Sequence, residues 1–362
     1  MATATADQRS PLSRVQPAAK GQLRARPGVG TAIETPQLSV VVVNFCQWRN
    51  TARLTRQLRR SEAVRRGAAE VVIVDNDSPR KRVAETLGKL SGVSVHFNGA
   101  NEGFARAVNR GSNLSRGEWV LLLNPDVSVP DGFLDDVLDA AQRWPGVDSR
   151  CGVVGFQLRN RDGTRQASAG RFPTLIRTAA GMLLPRARRK CGHRPLTERV
   201  PVPWVTGGCL LVRRDCYEEL GGLDERFFLY YEDVDFCLRA RAAGWSIWYD
   251  PALQVTHHWP LHVRDVPPPL RLVTRHALLT YSRKHWPRWQ AGILSGVVRV
   301  EAAARQRLAR RRGDEAADHW YGELRRLTGD LAAGRADAVA GHIRRAADTL
   351  HGIAAAQDGR TQ

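Results

Sequence analysis

Residues 38–45 read LSVVVVNF and residues 70–77 read EVVIVDND. In both, β-branched residues run on without alternation and stop at polar side chains. That is the pattern of a strand buried on both faces of a parallel sheet. GVSVHFN (92–98) and EWVLLLNPD (118–126) repeat it. Helical patterns lie between them: a basic one reaching about Val64, then others around 80–90 and 102–115. This alternation predicts an α/β fold with a doubly wound, mostly parallel sheet. Ligands of such sheets gather at the carboxyl ends of the strands. Asn44, Asp75 and the Asn124–Pro125–Asp126 turn all stand there.

Further on, CGVVGFQLRN (151–160) and VTGGCLLVRR (205–214) read as strands, 231–243 as a helix, and 245–249 and 253–257 as two more strands. VPPPL (266–270) marks a break, beyond which the chain reads as helical and Arg-rich. There Trp320, Leu324, Leu327 and Leu331, spaced four, three and four, form one apolar stripe. Residues 1–36 lack periodicity and read as a disordered basic arm. The expected divisions are therefore 1–36, an α/β domain over 37–265 and a helical region over 266–362.

Of 362 residues 43% are hydrophobic, enough for a sizeable core. Lys and Arg outnumber Asp and Glu by 55 to 36, so a negatively charged partner is expected. A nucleic-acid binder would interleave its basic residues with aromatics. Here the aromatics cluster with acids, so no nucleic acid is expected. The six cysteines form no CxxC pair, which fits reduced, mostly buried thiols in the cytosol. No apolar run approaches the roughly 18 residues of a membrane span, and MATATADQRSPLSR lacks the apolar segment of a signal peptide.

The densest acid cluster adjoins the densest aromatic one, in FFLYYEDVDFCLRARAAGW (227–245). A helix starting near Tyr231 puts Glu232 and Asp233 in its first turn, where the dipole favours ionised carboxylates. Glu232 and Asp235 share a face and Asp233 points elsewhere. An ionised Asp beside aromatic walls is well placed as a general base. Asp126 and Asn124, hard oxygen ligands at a strand end, suit Mg²⁺ or Mn²⁺ together with diphosphate. Asp75 can accept a hydrogen bond from a nucleobase imide. Gly103, opening the helix in NEGFARAVNRG, allows close backbone approach. His257 and His258 face opposite ways on a strand, so one can reach inward toward a metal.

Taken in order, VVVNF, VVIVDNDS, NEGFARAVNRG, LLLNPDV, TGGCLLVRRD, GGLDERFFLYYEDVDFCLRARAAGW and VTHH resemble the family 2 glycosyltransferases with a GT-A fold. Within them the chain looks most like the bacterial rhamnosyltransferase-like branch that builds cell-envelope polysaccharides. The resemblance covers about three-fifths of the chain and is most specific over the pattern FDExFFxYxEDxDxCxRxxxxG. Leu223 stands where that pattern often has Phe, and Cys46 where a polar residue is common. It implies Asp233 as catalytic base with Glu232 beside it, and donor contacts at Asn44, Asp75, Asn101, Gly103 and Asn124. It also implies acceptor contacts at Gly207, Gly208 and Tyr231, and a Mg²⁺ or Mn²⁺ held by Asp126 with His257 nearby. The implied reaction is inverting transfer from a nucleoside-diphosphate-sugar, dTDP-rhamnose or a UDP-sugar, to a lipid-linked glycan acceptor. The enzyme would be cytoplasmic and peripheral on the inner, anionic face of the cell membrane. The rival expectation is a catalytically idle scaffold of the same fold in an envelope-building complex.

Overall fold

A computed structural model describes residues 35–79, 82–183, 196–260 and 265–359, with side chains to 354. The basic stretch 185–194 and the arm 1–34 lie outside the described residues. Strands β1 (Leu38–Asn44), β2 (Ala69–Asp75), β3 (Val93–Phe97) and β4 (Trp119–Leu123) alternate with helices α1 (Trp48–Leu58), α2 (Glu62–Arg65), α3 (Arg82–Gly88) and α4 (Phe104–Leu114). Then come β5 (Val127–Ser128), α5 (Phe133–Val147), β6 (Cys151–Arg159), β7 (Arg165–Gln166), β8 (Ala169–Gly170) and α6 (Leu175–Leu183). β9 (Val200–Pro201), β10 (Trp204–Val205), β11 (Cys209–Arg213), α7 (Arg214–Glu219), α8 (Glu232–Ala242) and β12 (Ser246–His257) complete the α/β part. Four helices follow: α9 (Pro268–His285), α10 (Arg288–Arg311), α11 (Glu315–Ala332) and α12 (Ala336–Gly359).

The main sheet has the order β3-β2-β1-β4-β11-β6-β12-β5. Along it β11 and β5 run against their neighbours and the other adjacent pairs are parallel. This is the expected GT-A-like α/β sheet followed by a helical region. All seven residues of β1 are buried, which is why its run shows no alternation. β1 and β2 pair in register from Leu38↔Ala69 to Asn44↔Asp75, so the two polar termini come out side by side.

Two readings change. The stretch 205–214 is not one strand: Gly207 and Gly208 interrupt it, leaving β10 in a separate two-stranded sheet and β11 in the main one. Conversely, 245–249 and 253–257 belong to one strand, β12, whose register against β6 shifts between Asp250 and Gln254. Pro251 and the irregularity beside it produced the apparent gap.

One core lies on each face of the sheet. A third joins α9, α10, α11 and α12, and the loop residues Phe228, Leu229 and Tyr231 pack against it. Trp320, Leu324 and Leu327 point into this third core, and Leu331 packs at its edge. Each fully buried Leu is worth about 1.5–3 kcal/mol, so the stripe serves helix packing. Cys151, Cys209, Cys216 and Cys237 are free thiols, and they and Cys46 are buried.

Candidate active site

The base of the site is the paired end of β1 and β2. Asn44 Nδ2 donates to Asp75 Oδ1 at 2.6 Å and to Ser78 Oγ at 3.0 Å, while Thr51 Oγ1 donates to Asn44 Oδ1 at 2.6 Å. The Ser78 amide donates to Asp75 Oδ2 at 3.0 Å. Asp75 is 1% exposed; burial pushes its pKa up, and the bonds from Ser78 and Asn44 partly offset that. Cys46 (φ 52°) and Asp77 (φ 71°) sit in the left-handed region on the two adjoining loops. Such strain gathers at functional sites.

Asn76 is the hub that the sequence reading passed over. Its Nδ2 donates to Asn101 Oδ1 at 2.7 Å and to the Gly103 carbonyl at 3.3 Å, and its Oδ1 accepts from Asn98 Nδ2 at 3.0 Å. It fastens Asn101 and Gly103 to the β2 end. Gly103 (φ 90°) does admit a close backbone, but the visitor is Phe228: a Cβ there would lie 2.7 Å from the Phe228 carbonyl oxygen. That carbonyl accepts from the Phe104 amide at 2.6 Å, capping the first turn of α4. The glycine thus ties the loop before α4 to the aromatic loop of the opposite half.

That aromatic loop leads into α8 through two left-handed residues, Tyr230 (φ 74°) and Tyr231 (φ 69°). The three acids after it enter three environments. Glu232 is buried and its Oε2 has no hydrogen-bond partner. Asp233 is half-buried; its Oδ2 accepts from the Gly207 amide at 2.9 Å and its Oδ1 from the Val234 amide at 2.8 Å. Burial raises both pKa values, and the negative charge of Asp233 raises that of Glu232 further. Asp235, fully buried, faces α9 and meets Lys284 and His285 at 2.6 Å and Arg239 at 2.8 Å. Burial pushes its pKa up, but the hydrogen bonds from His285, Lys284 and Arg239 outweigh that and leave it lowered.

The strand-end acid and the late histidine meet because β5 pairs with β12, setting His257 opposite Val127. His257 Nε2 lies 3.3 Å from Asp126 Oδ1, and its Nδ1 is buried without a partner. His258 faces the other way, 2.7 Å from Ser128 Oγ. Among the described residues no three His, Cys, Asp or Glu side chains gather as a metal cage. The Asp126 carboxylate, the His257 Nε2 beside it and the nearby Asn124 amide nevertheless fit a Mg²⁺ or Mn²⁺ that takes its other ligands from phosphate and water.

Gly207 and Gly208 join the two halves. A Cβ on Gly207 would stand 3.6 Å from Asp233 Cβ, and one on Gly208 would stand 3.9 Å from both Asn124 Nδ2 and His257 Cε1. The Asn124 amide donates to the Gly208 carbonyl at 3.2 Å. A carboxylate of raised pKa and an oxygen-and-imidazole set thus flank one dipeptide.

Comparison with known proteins shows the family. The family model described as "Glycosyltransferase like family 2" matches residues 36–292. An N-acetylglucosaminyl-diphospho-decaprenol L-rhamnosyltransferase of Mycobacterium tuberculosis is 34% identical over 280 residues, covering 71% of this chain and 88% of that one. The rhamnosyltransferase WbbL of Escherichia coli is 28% identical over 144 residues, 39% of this chain and 52% of that one. Among solved structures, GalNAc-T7 with UDP, GalNAc and Mn²⁺ aligns at 19% identity with a TM-score of 0.49, over 68% of this chain and about half (48%) of that one. The chain therefore belongs to the family 2 glycosyltransferases.

Proposed function

We propose that the protein transfers a sugar, L-rhamnose, from a nucleoside-diphosphate donor to a hydroxyl of a lipid-linked glycan, with inversion at the anomeric carbon. The observation that carries this is the Gly207–Gly208 junction, with Asp233 on one side and Asn124, Asp126 and His257 on the other. The kinship with rhamnosyltransferases supports the sugar and the acceptor class. Asn44 and Asp75 set the base end of the donor site, and the imide acceptor Asp75 favours uridine or thymidine. Gly207 and Gly208 leave the acceptor room to approach, with Tyr231 as part of its wall. Asp233 takes the proton of the attacking hydroxyl, and its raised pKa suits that task. A divalent ion held by Asp126 and His257 would supply Lewis-acid neutralisation of the diphosphate. Residues 37–265 would carry this chemistry. Incubation with dTDP-rhamnose or UDP-sugars and a sugar-diphosphate-lipid, read by product mass, tests the reading; no glycosylated product from any pairing overturns it.

Asp126→Ala is expected to weaken Mn²⁺-dependent donor binding by at least about 10–100-fold, the loss typical even of groups one shell further from a metal. Titration calorimetry of dTDP and UDP with and without Mn²⁺ checks this. An unchanged metal requirement would place the ion elsewhere.

The lipid acceptor requires the enzyme to work at a membrane surface. Among the described residues no helix is long and apolar enough to cross a membrane. Peripheral binding at the anionic inner face of the cell membrane is supported by the outer side of α10. Trp289 (63% exposed), Ile293 (49%) and Val300 (69%) are exposed there alongside Arg288, Arg299 and Arg307. Glu301, the one acid in α10, is turned inward onto Arg275. Of the stretches whose charge or apolar stripe could seek such a surface, the Trp320 stripe is buried among the helices and 185–194 lies outside the described residues, while in 305–312 Arg305 and Arg310 are engaged by Glu301 and Asp318 and Arg307, Arg311 and Arg312 are exposed. Each basic residue near an anionic surface is worth about 1 kcal/mol. Replacing Trp289, Ile293 and Val300 together by Ser is expected to abolish co-sedimentation with phosphatidylglycerol vesicles while leaving UDP binding intact. Retained sedimentation would reject this face.

A further inference from the structure

Helices α9 and α10 meet across a group of four charges. Glu301 accepts two bonds from Arg275, at 2.7 and 2.9 Å, and a third from Arg305 Nε at 3.1 Å. Arg271, one turn before Arg275, comes no nearer to this carboxylate than 3.7 Å, and its buried Nε has no partner. The side chains of Arg271, Arg275 and Glu301 are 14%, 10% and 14% exposed, whereas Arg305, at 36%, opens the group to solvent. Three cations thus share one anion. Burial, and then the charge of Arg305, lower the pKa of Arg271, the mark of a cation without sufficient counter-charge.

Joining two helices needs only the bidentate Arg275–Glu301 pair. Arg271 adds an uncompensated charge in a largely desolvated place, which is costly unless an anion arrives. Guanidinium forks match phosphoryl oxygens in shape and charge. The group also borders the catalytic helix. Tyr231, the residue before Glu232, packs against the core that α9 and α10 build, with its ring 5.5 Å from that of Tyr281 on α9. The Tyr231 hydroxyl feels Arg275 and Asp233 alike: burial raises its pKa to about 12, Arg275 opposes the rise and Asp233 adds to it.

We propose that Arg271, Arg275 and Arg305 bind the phosphoryl groups of the acceptor, the diphosphate that links its sugar to the lipid. This rests on the lipid-linked acceptor proposed above. With the acceptor hydroxyl at Asp233, the sugar ring spans the Tyr231 wall and its diphosphate reaches the arginines. The donor diphosphate keeps its own place at Asp126 and His257, beyond Gly207–Gly208. Arg271, whose side chain makes no hydrogen bond among the described residues, is the arginine whose removal discriminates, since Arg275 also holds the helices together.

The test compares the full chain with its Arg271→Gln variant. Inorganic pyrophosphate binding, followed by calorimetry with Asp126→Ala in both backgrounds to silence the donor site, is expected to weaken about 10–100-fold in Arg271→Gln, as for loss of a hydrogen bond to a charged group. With an N-acetylglucosaminyl diphosphate bearing a short alkyl chain, KM is expected to rise similarly and kcat to hold. KM for UDP-sugar or dTDP-rhamnose, binding to phosphatidylglycerol vesicles and thermal stability are expected to stay the same. Unchanged pyrophosphate binding overturns the site. A weakened donor KM would assign the arginines to the donor, a loss confined to vesicle binding would assign them to a lipid headgroup, and a lowered Tm with unchanged anion binding would make them structural; each rejects the proposal. If the wild type binds pyrophosphate through Arg271 yet glycosylates no sugar diphosphate, the anion site stands and the acceptor reading falls.

Discussion

Asp233→Asn is expected to lower transfer by about 10²–10⁴-fold, the usual contribution of a general base, while donor affinity stays within about twofold, a binding difference under 0.5 kcal/mol. The Asn carbonyl oxygen can accept from only one of the Gly207 and Val234 amides, which reach the two oxygens of Asp233 at 2.9 and 2.8 Å, so the variant loses one of these bonds together with the basicity. The proton-accepting form is the carboxylate. Its pKa is raised by burial, and Glu232 beside it is raised by burial and by the Asp233 charge. The acid limb of the rate profile should therefore lie above the ordinary carboxylate range. Glu232 is raised the further of the two, partly by the Asp233 charge, so it is protonated while Asp233 ionises and Glu232→Gln, a neutral replacement, should leave the limb where it is. Initial rates across pH with both variants check this. Near-wild-type turnover in Asp233→Asn would remove it from the mechanism, and a limb moved to lower pH in Glu232→Gln would mean that Glu232 is charged when Asp233 titrates.

Two residues along the same helix, Asp235→Ala is expected to cost about 3–5 kcal/mol of stability, the range for breaking a buried ion pair by deleting one partner. Asp235 is fully buried and draws Lys284, His285 and Arg239 around it, so its loss strands cations between α8 and α9. Its folded pKa is lowered from the ordinary Asp value. The contribution is thus complete above the unfolded pKa of about 3.9 and is lost as pH falls through the depressed folded value. Urea titrations of wild type and variant should diverge at neutral pH and converge in acid. Equal midpoints at pH 7 would mean that the α8–α9 junction does not depend on this carboxylate. Asp233 and Asp235 are alike in a sequence; one is the proposed base, and the other holds the helical region to the sheet through Lys284 and His285.

That contrast shows where the sequence was sufficient. The runs at 38–45, 70–77 and 118–126 identified β1, β2 and β4, because a strand buried on both faces cannot carry polar side chains until it ends. Their polar ends located Asn44, Asp75 and Asp126, and the start of α8 at Glu232 followed from the acids at its first turn. These features are local, encoded within a few residues. The pairing of β12 with β5 that sets His257 against Asp126, the Gly207–Gly208 contact with Asp233, and the closure of α9 and α10 around Glu301 are not local. Periodicity shows that a helix has an apolar face but not what will cover it. So the Trp320 stripe went inward, and Trp289, Ile293 and Val300, which share one side of α10, stayed outside. The sequence by itself determined the fold class and the chemical identity of the groups. Only the tertiary structure decided which of them meet and which face solvent, because those contacts join residues far apart in the chain, whose positions depend on the packing of the whole.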